Sequence, residues 1–265
     1  MLEPSEWYSG DYLQAGSGIP FYNGFLACTH AFRTGQLRTI TLGQDCMVSR
    51  LSHQIFDLSQ EVLQDTCDCF ANLTNIEFQI NTDSLDTLER HLTKLTLYSG
   101  HMAKLLSAAT HLEVLNVDFE SHTTLGRSDD IWSNTLRSGV WTSLHTFRLS
   151  YVTVRQQDLC HFLRRHRCSL RTLHLENMKI EPPGTWESGL KEMQCMPMNL
   201  QACRLTRLQP HNSSFGQVSR FVRSQDILDY LGFRGKNPFT ACAPPQLYGK
   251  HFHVQVFAMR LIYAR

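Results

Sequence analysis

A six-residue unit recurs along the chain, with Leu first and apolar residues at its fourth and sixth positions. It reads Leu37–Leu42 (LRTITL), Leu73–Phe78 (LTNIEF), Leu92–Leu97 (LTKLTL) and Leu112–Val117 (LEVLNV). It returns as Leu144–Leu149 (LHTFRL), Leu170–Leu175 (LRTLHL) and Leu200–Leu205 (LQACRL). Apolar residues two apart follow the period of a strand, whose side chains point to opposite faces at every step. Each unit therefore predicts a strand with one face buried and the other, mostly polar, in water. The unit at Leu92 has a second reading, since that stretch also continues a helix from Ser84.

Between the units the apolar period changes to that of a helix. Gln54–Phe70 places Ile55, Leu58, Val62, Cys67 and Phe70 near one stripe, and His101–Ala109 does so with Met102, Leu105, Leu106 and Ala109. Gln156–His166 carries Leu159, Phe162, Leu163 and His166, the i, i+3, i+4, i+7 pattern of an amphipathic helix. Thr185 is the predicted N-cap of a helix bearing Trp186, Leu190 and Met193.

Strand, helix, strand, helix is the order of a parallel sheet with right-handed crossovers. Because the strands are near-copies, the fold class predicted is α/β: an irregular leucine-rich-repeat-like open solenoid, with a parallel sheet on the concave face and helices on the convex face. A doubly wound α/β domain is the alternative. The units start 36, 19, 20, 32, 26 and 30 residues apart, against about 20–29 in regular leucine-rich repeats, hence the word irregular. The predicted organisation is an amino-terminal capping segment over 1–36, the array over 37–207 and a carboxy-terminal capping segment over 208–265. In these end segments Phe21–Phe32 and Gln225–Leu231 read as helices and Phe252–Val256 as a strand.

Composition narrows the partners. Apolar residues at 42% and charged residues at 18% describe a folded chain. With 25 Lys and Arg against 24 Asp and Glu, net charge is +1, so no global field attracts nucleic acid or an anionic membrane. No apolar run reaches the ~18 residues of a membrane helix, and the first residues lack the pattern of a signal peptide. A cytoplasmic or nuclear location is expected. The nine cysteines (28, 46, 67, 69, 160, 168, 195, 203 and 242) fall mostly inside predicted regular structure, as small buried hydrophobes in a reducing compartment.

Catalytic motifs are sparse. Gly16-Ser17-Gly18 is followed by Ile19-Pro20, and Gly235-Lys236 lacks the upstream glycine of a phosphate loop. No Gly-x-Ser-x-Gly elbow and no His-Glu-x-x-His occurs. Cys160, His161, His166 and Cys168 are possible zinc ligands, but adjacent helical residues point about 100° apart. His166 and the run Arg164-Arg165-His166-Arg167 read more simply as a solvated helix end favoured by the helix dipole. No cofactor and no metal is expected, and the chain is read as non-catalytic. The alternative is an α/β enzyme of cysteine- or metal-dependent hydrolase type.

What remains is a surface. Fifth-position residues project from the exposed face: Thr41, Glu77, Thr96, Asn116, Arg148, His174 and Arg204. Seventh-position residues Gly43, Gln79, Tyr98, Asp118, Ser150, Glu176 and Thr206 join them. The candidate protein-binding residues are Glu77, Asn116, Asp118, Arg148, His174, Glu176 and Arg204. Arg148, His174 and Arg204 stack across three consecutive carboxy-terminal strands, where Arg forks suit carboxylate or phosphate. The expected partner is a protein or peptide, acidic or phosphorylated.

Several segments resemble a known family. Asp158–His166 (DLCHFLRRH) followed by Ser169–Leu175 (SLRTLHL), Gly184–Glu187 (GTWE), Ala108–Leu115 (AATHLEVL) and Asp226–Tyr230 (DILDY) look like the carboxy-terminal leucine-rich-repeat region of fungal F-box proteins. The resemblance spans about residues 30–235 and implies a substrate receptor of ubiquitin ligation, with a ubiquitin-ligase scaffold as a further partner. The family's Leu-Pro-x-Glu opening of the F-box is not found, and Leu2-Glu3-Pro4 does not supply it. The resemblance therefore implies the recognition half alone.

Overall fold

Six of the seven units are strands, each beginning at the third position of its unit. They are β1 (Thr39–Leu42), β3 (Asn75–Asn81), β4 (Val114–Asp118), β5 (Thr146–Ser150), β7 (Thr172–Glu176) and β9 (Ala202–Thr206). The computed structural model describes residues 34–35, 38–42, 51–52, 56, 58–81, 99–119, 129–196, 198–206, 208 and 231. The unit at Leu92–Leu97, the helices read at 21–32 and 225–230 and the strand at 252–256 lie outside them. The sheet passes directly from β3 to β4.

All six strands pair in parallel and in chain order, β1-β3-β4-β5-β7-β9. A two-residue strand, β2 (Leu51–Ser52), pairs with the far end of β3. The register aligns like positions of successive units, for example Phe147 with Leu173 and Leu173 with Cys203. The fourth positions Ile40, Ile76, Leu115, Phe147, Leu173 and Cys203 thus form one continuous buried row, and Phe78, Val117, Leu149, Leu175 and Leu205 a second. The leading Leu73, Leu112, Leu144 and Leu170 are buried beside them. A shift of one residue in any strand would carry its whole apolar set to the wrong face. Each large side chain so exposed would forfeit about 1.5–3 kcal/mol.

Five helices are found among the described residues: α1 (Gln60–Phe70), α2 (His101–Ala108), α3 (Asp129–Ser138), α4 (Gln156–His166) and α5 (Trp186–Gln194). They touch one another in chain order and pack on the buried rows. The Phe70 ring of α1 lies 6.4 Å from Phe78 of β3, and the Phe162 ring of α4 lies 4.6 Å from Phe147 of β5. The Thr185 cap of α5 is a full capping box with Ser188. Helix α1 starts later than the apolar spacing suggests, because the Ser59 hydroxyl accepts the Val62 N–H and caps it there. Its core face is then Leu63, Thr66, Cys69 and Phe70, while Val62 and Cys67 are half-buried.

Two short strands, β6 (Thr153–Arg155) and β8 (Lys179–Glu181), pair in a second, two-stranded sheet. Each follows a main strand through a residue in the left-handed region, Tyr151 (φ 60°) and Asn177 (φ 49°). Their N–H groups donate to the Glu176 and Thr206 carbonyls of the next strand, at 2.9 and 3.0 Å. The chain thus turns away from the sheet without leaving these donors unpaired.

The cluster Arg164–Arg167 is not a plain solvated helix end, and this corrects the reading from sequence. The Arg164 guanidinium donates to Glu192 of α5 at 2.8 Å. Arg165 donates to the carbonyls of Leu136 and Arg137 at the end of α3, satisfying acceptors that a helix terminus leaves open. Arg137 in turn pairs with the buried Asp158 of α4 at 2.7 Å. His166 is 2% exposed and stacked on Trp141 at 5.9 Å. Its Nδ1–H donates to the Phe162 carbonyl at 2.8 Å, and its Nε2 accepts the buried Trp141 N–H at 3.1 Å. A dipole would raise its pKa; burial, helped by the Arg165 charge, instead holds it below the ordinary value against the pull of the Phe162 carbonyl.

The native fold thus requires a neutral His166, whereas the unfolded imidazole protonates below about 6.5. Its contribution to stability is complete above that pH and is lost as pH falls toward the depressed folded value. His166→Leu should leave the Trp141 N–H without its acceptor, costing about 1–3 kcal/mol, and should flatten stability between pH 7.5 and 5. Urea titrations across that range check both effects; an unchanged midpoint and slope would remove His166 from this role.

Candidate ligand-binding face

The same register that aligns the core aligns the opposite, polar face. Fifth positions run Thr41, Glu77, Asn116, Arg148, His174 and Arg204 from β1 to β9, each paired with the next. The row therefore changes sign along its length, from a carboxylate on β3 to two guanidinium groups on β5 and β9. Seventh positions form a second row: Gln79, Asp118, Ser150, Glu176 and Thr206. The third positions Thr39, Asn75, Val114, Thr146, Thr172 and Ala202 are small or neutral, so the charged groups stand over a low, uncharged flank. Thr96, Tyr98 and Gly43 lie outside the described residues.

All seven predicted residues sit on this face, but not as one site. Arg148, His174 and Arg204 are consecutive, with neighbouring strands about 4.8 Å apart. Arg148 and Arg204 are exposed, and neither has an ion-pair partner among the described residues. Between them, His174 is 19% exposed and its Nε2 lies 3.6 Å from Glu176 Oε2. That Nε2 has no hydrogen-bond partner among the described residues. Of the two carboxylates in the seventh-position row, Glu176 lies against His174. Asp118 stands two strands away from it, on the far side of Ser150, and belongs to the other half of the face. There the Asn116 side-chain amide donates to Glu77 Oε2 at 3.0 Å, which fixes the Glu77 carboxylate against its neighbouring strand.

A second line of charge flanks the face. One residue ahead of β4, β5 and β7 lie Glu113, His145 and Arg171, joined through their backbones. His145 Nε2 is 3.7 Å from Glu113 Oε2. Their signal was the second position of the same unit, which alternation alone assigns to the buried face with the fourth and sixth, although Glu113 is exposed and His145 and Arg171 are half-buried.

Cysteine chemistry is constrained by burial. The Cys160 thiol contacts the Gly189 carbonyl at 4.0 Å, and burial, with the Glu192 charge, pushes its pKa up to about 12. Burial alone pushes Cys203, in the fourth-position row, up to about 12. Cys67 is also raised, by burial and then by Asp68. Cys168 and Cys195 are exposed. Among the described residues no three His, Cys, Asp or Glu side chains are grouped so as to hold a metal ion, and no helix is long and apolar enough to cross a membrane.

The fold and this face define a parallel α/β chain with a charge-graded sheet surface. No known protein family, curated protein or solved structure matches the chain.

Thiols held near 12 are protonated at neutral pH and attack electrophiles slowly. Iodoacetamide at pH 8 should label Cys168 and Cys195 in the folded chain. Cys160 and Cys203 should react at least ~100-fold more slowly until denaturant is added. Mass spectrometry of the labelled peptides checks this; native labelling of Cys203 at the Cys168 rate would contradict the buried row.

Proposed function

We propose that the chain is a non-catalytic protein-binding scaffold that receives an acidic or phosphorylated peptide on the Arg148–His174–Arg204 row. The observation that carries this is the register: three basic-type side chains brought side by side on an open sheet face, two of them exposed Arg. Guanidinium forks match carboxylate and phosphate oxygens in pairs. Nothing in the buried rows calls for cations there, and the two guanidinium groups, one on either side of His174, can converge on a single anion.

The architecture we favour is the irregular leucine-rich-repeat-like open solenoid. Packed helices need about 8–10 Å between axes, whereas strands need about 4.8 Å. A layer of helices stacked in chain order on strands in chain order therefore curves, with the sheet on the concave side and the helices outside. A peptide on the sheet would then meet a cradle instead of a flat surface. A cysteine hydrolase on the same fold requires a thiolate, which burial opposes at Cys160 and Cys203.

The resemblance to fungal F-box proteins extends the proposal. The chain would be the substrate-recognition part of an F-box-type ubiquitin-ligase receptor, acting in cytoplasm or nucleus, with neither nucleic acid nor membrane as partner.

Two measurements test these statements separately. A degenerate phosphoserine peptide library, read by fluorescence anisotropy, should bind more tightly than its serine counterpart. Arg148→Ala and Arg204→Ala should each weaken binding about tenfold, or ~1.4 kcal/mol; unchanged affinity would remove the row from the site. On the receptor proposal, recovery of a ubiquitin-ligase scaffold with the protein purified from cells is expected, a partner supplying the F-box. Its absence, with peptide binding retained, would leave a scaffold outside ubiquitin ligation.

A further inference from the structure

The face is graded, not merely basic at one end, and the grading has a length. Glu77 is two strands from Arg148 and three from His174 along one register row, or about 10 and 14 Å at the spacing of adjacent strands. An extended peptide advances about 3.3 Å per residue, so these separations correspond to three to four residues. The acidic half holds a second carboxylate, Asp118, in the outer row of the same strand as Asn116, and Glu77 is oriented by the Asn116 amide at 3.0 Å. In the basic half Glu176 lies against His174, which leaves Arg148 and Arg204 as the groups flanking an incoming anion.

We propose that this face selects a peptide of mixed charge: an anionic residue seated between Arg148 and Arg204, and a Lys or Arg three or four positions away against Glu77 and Asp118. The inference rests on the reading of the basic row as the anion site, and adds the second half of the recognised motif. The carboxylates also act against the wrong ligand. A polyanion laid across the strands would bring like charge onto Glu77 and Asp118, and such juxtaposition rejects partners more strongly than a missing contact does. A purely basic peptide meets the same penalty at Arg148 and Arg204. Phosphate and carboxylate share the chemistry that the Arg pair reads.

The experiment uses the full chain and an alanine-rich peptide set in which one Lys is moved from six residues before to six residues after a phosphoserine. A parallel set carries Glu in place of phosphoserine, to separate phosphate from carboxylate. Affinity should peak with Lys three or four residues to one side of the anion, roughly five- to tenfold above its value with Lys adjacent. In Glu77→Gln/Asp118→Asn the peak should vanish while dependence on phosphoserine remains. In Arg148→Ala/Arg204→Ala, dependence on phosphoserine should vanish instead. Circular dichroism establishes that both variants fold. Binding that depends on phosphoserine but is indifferent to the position of Lys overturns the mixed-charge motif and leaves the anion site standing. Failure of every peptide to bind overturns both.

Discussion

In-register parallel pairing is the constraint from which the rest follows. Pairing places like positions of successive strands side by side, so a residue type repeated at one position becomes a continuous row in space. At the fourth and sixth positions that row is apolar and buried from Ile76 to Leu205. At the fifth and seventh positions it is the polar face. The two cannot be set independently, because the pleat ties them: whatever fixes Phe147 against Phe162 also aims Arg148 outward. The core therefore places the candidate site, although no core residue belongs to it.

The helix layer completes the frame through contacts that are mostly between neighbours in the chain. Trp141 Nε1 donates to the Leu106 carbonyl at 3.0 Å, its ring stacks on His166, and Gly139 is pressed so closely against that ring that a Cβ would lie 2.4 Å from it. One side chain thus joins the end of α2, the end of α3 and the end of α4. Arg165 and the Arg137–Asp158 pair add polar links across the α3–α4 interface. Most of the positive charge concentrated at Arg164–Arg167 is consumed in this way, Arg167 remaining exposed. The two arginines of the sheet face are not so consumed, and the contrast between the two basic groups separates a structural use of charge from one that is open to a ligand.

How much was legible in the sequence depended on whether the governing contact was local. The strands were, since a leading Leu and two apolar residues two apart state the period, and α4 was, since Leu159, Phe162, Leu163 and His166 mark a complete stripe. Helix α3 escaped because its buried face mixes Trp132 and Leu136 with Ser133 and Thr135, which breaks the apolar stripe. Strands β6 and β8 escaped because they are three residues long and their corners are made by Tyr151 and Asn177, not by the glycine that marks a left-handed turn. His166 was misread because its decisive partner, the Trp141 N–H, is 25 residues away. At the candidate face, the membership of each row was legible from position in the unit. The Glu77–Asn116 bond was not, since it depends on two strands 39 residues apart being neighbours.

The charge on the sheet face asks for an explanation that stability does not provide. Exposed positions of a half-buried strand are well served by Thr, Asn or Gln, as the third-position row illustrates with Thr39, Asn75, Thr146 and Thr172. The Arg residues on β5 and β9 instead stand about 10 Å apart, exposed and on either side of a histidine. Placing Glu77 and Asp118 on the two strands before β5 gives the face a direction as well. A surface needed only for solvation would gain nothing from such ordering, because interspersed signs solvate as well as segregated ones. Segregation produces a field gradient across the strands, and a gradient distinguishes the two ends of whatever lies upon it. That property would suit recognition, and it is why the sheet face, not the more numerous helix-end arginines, carries the functional proposal.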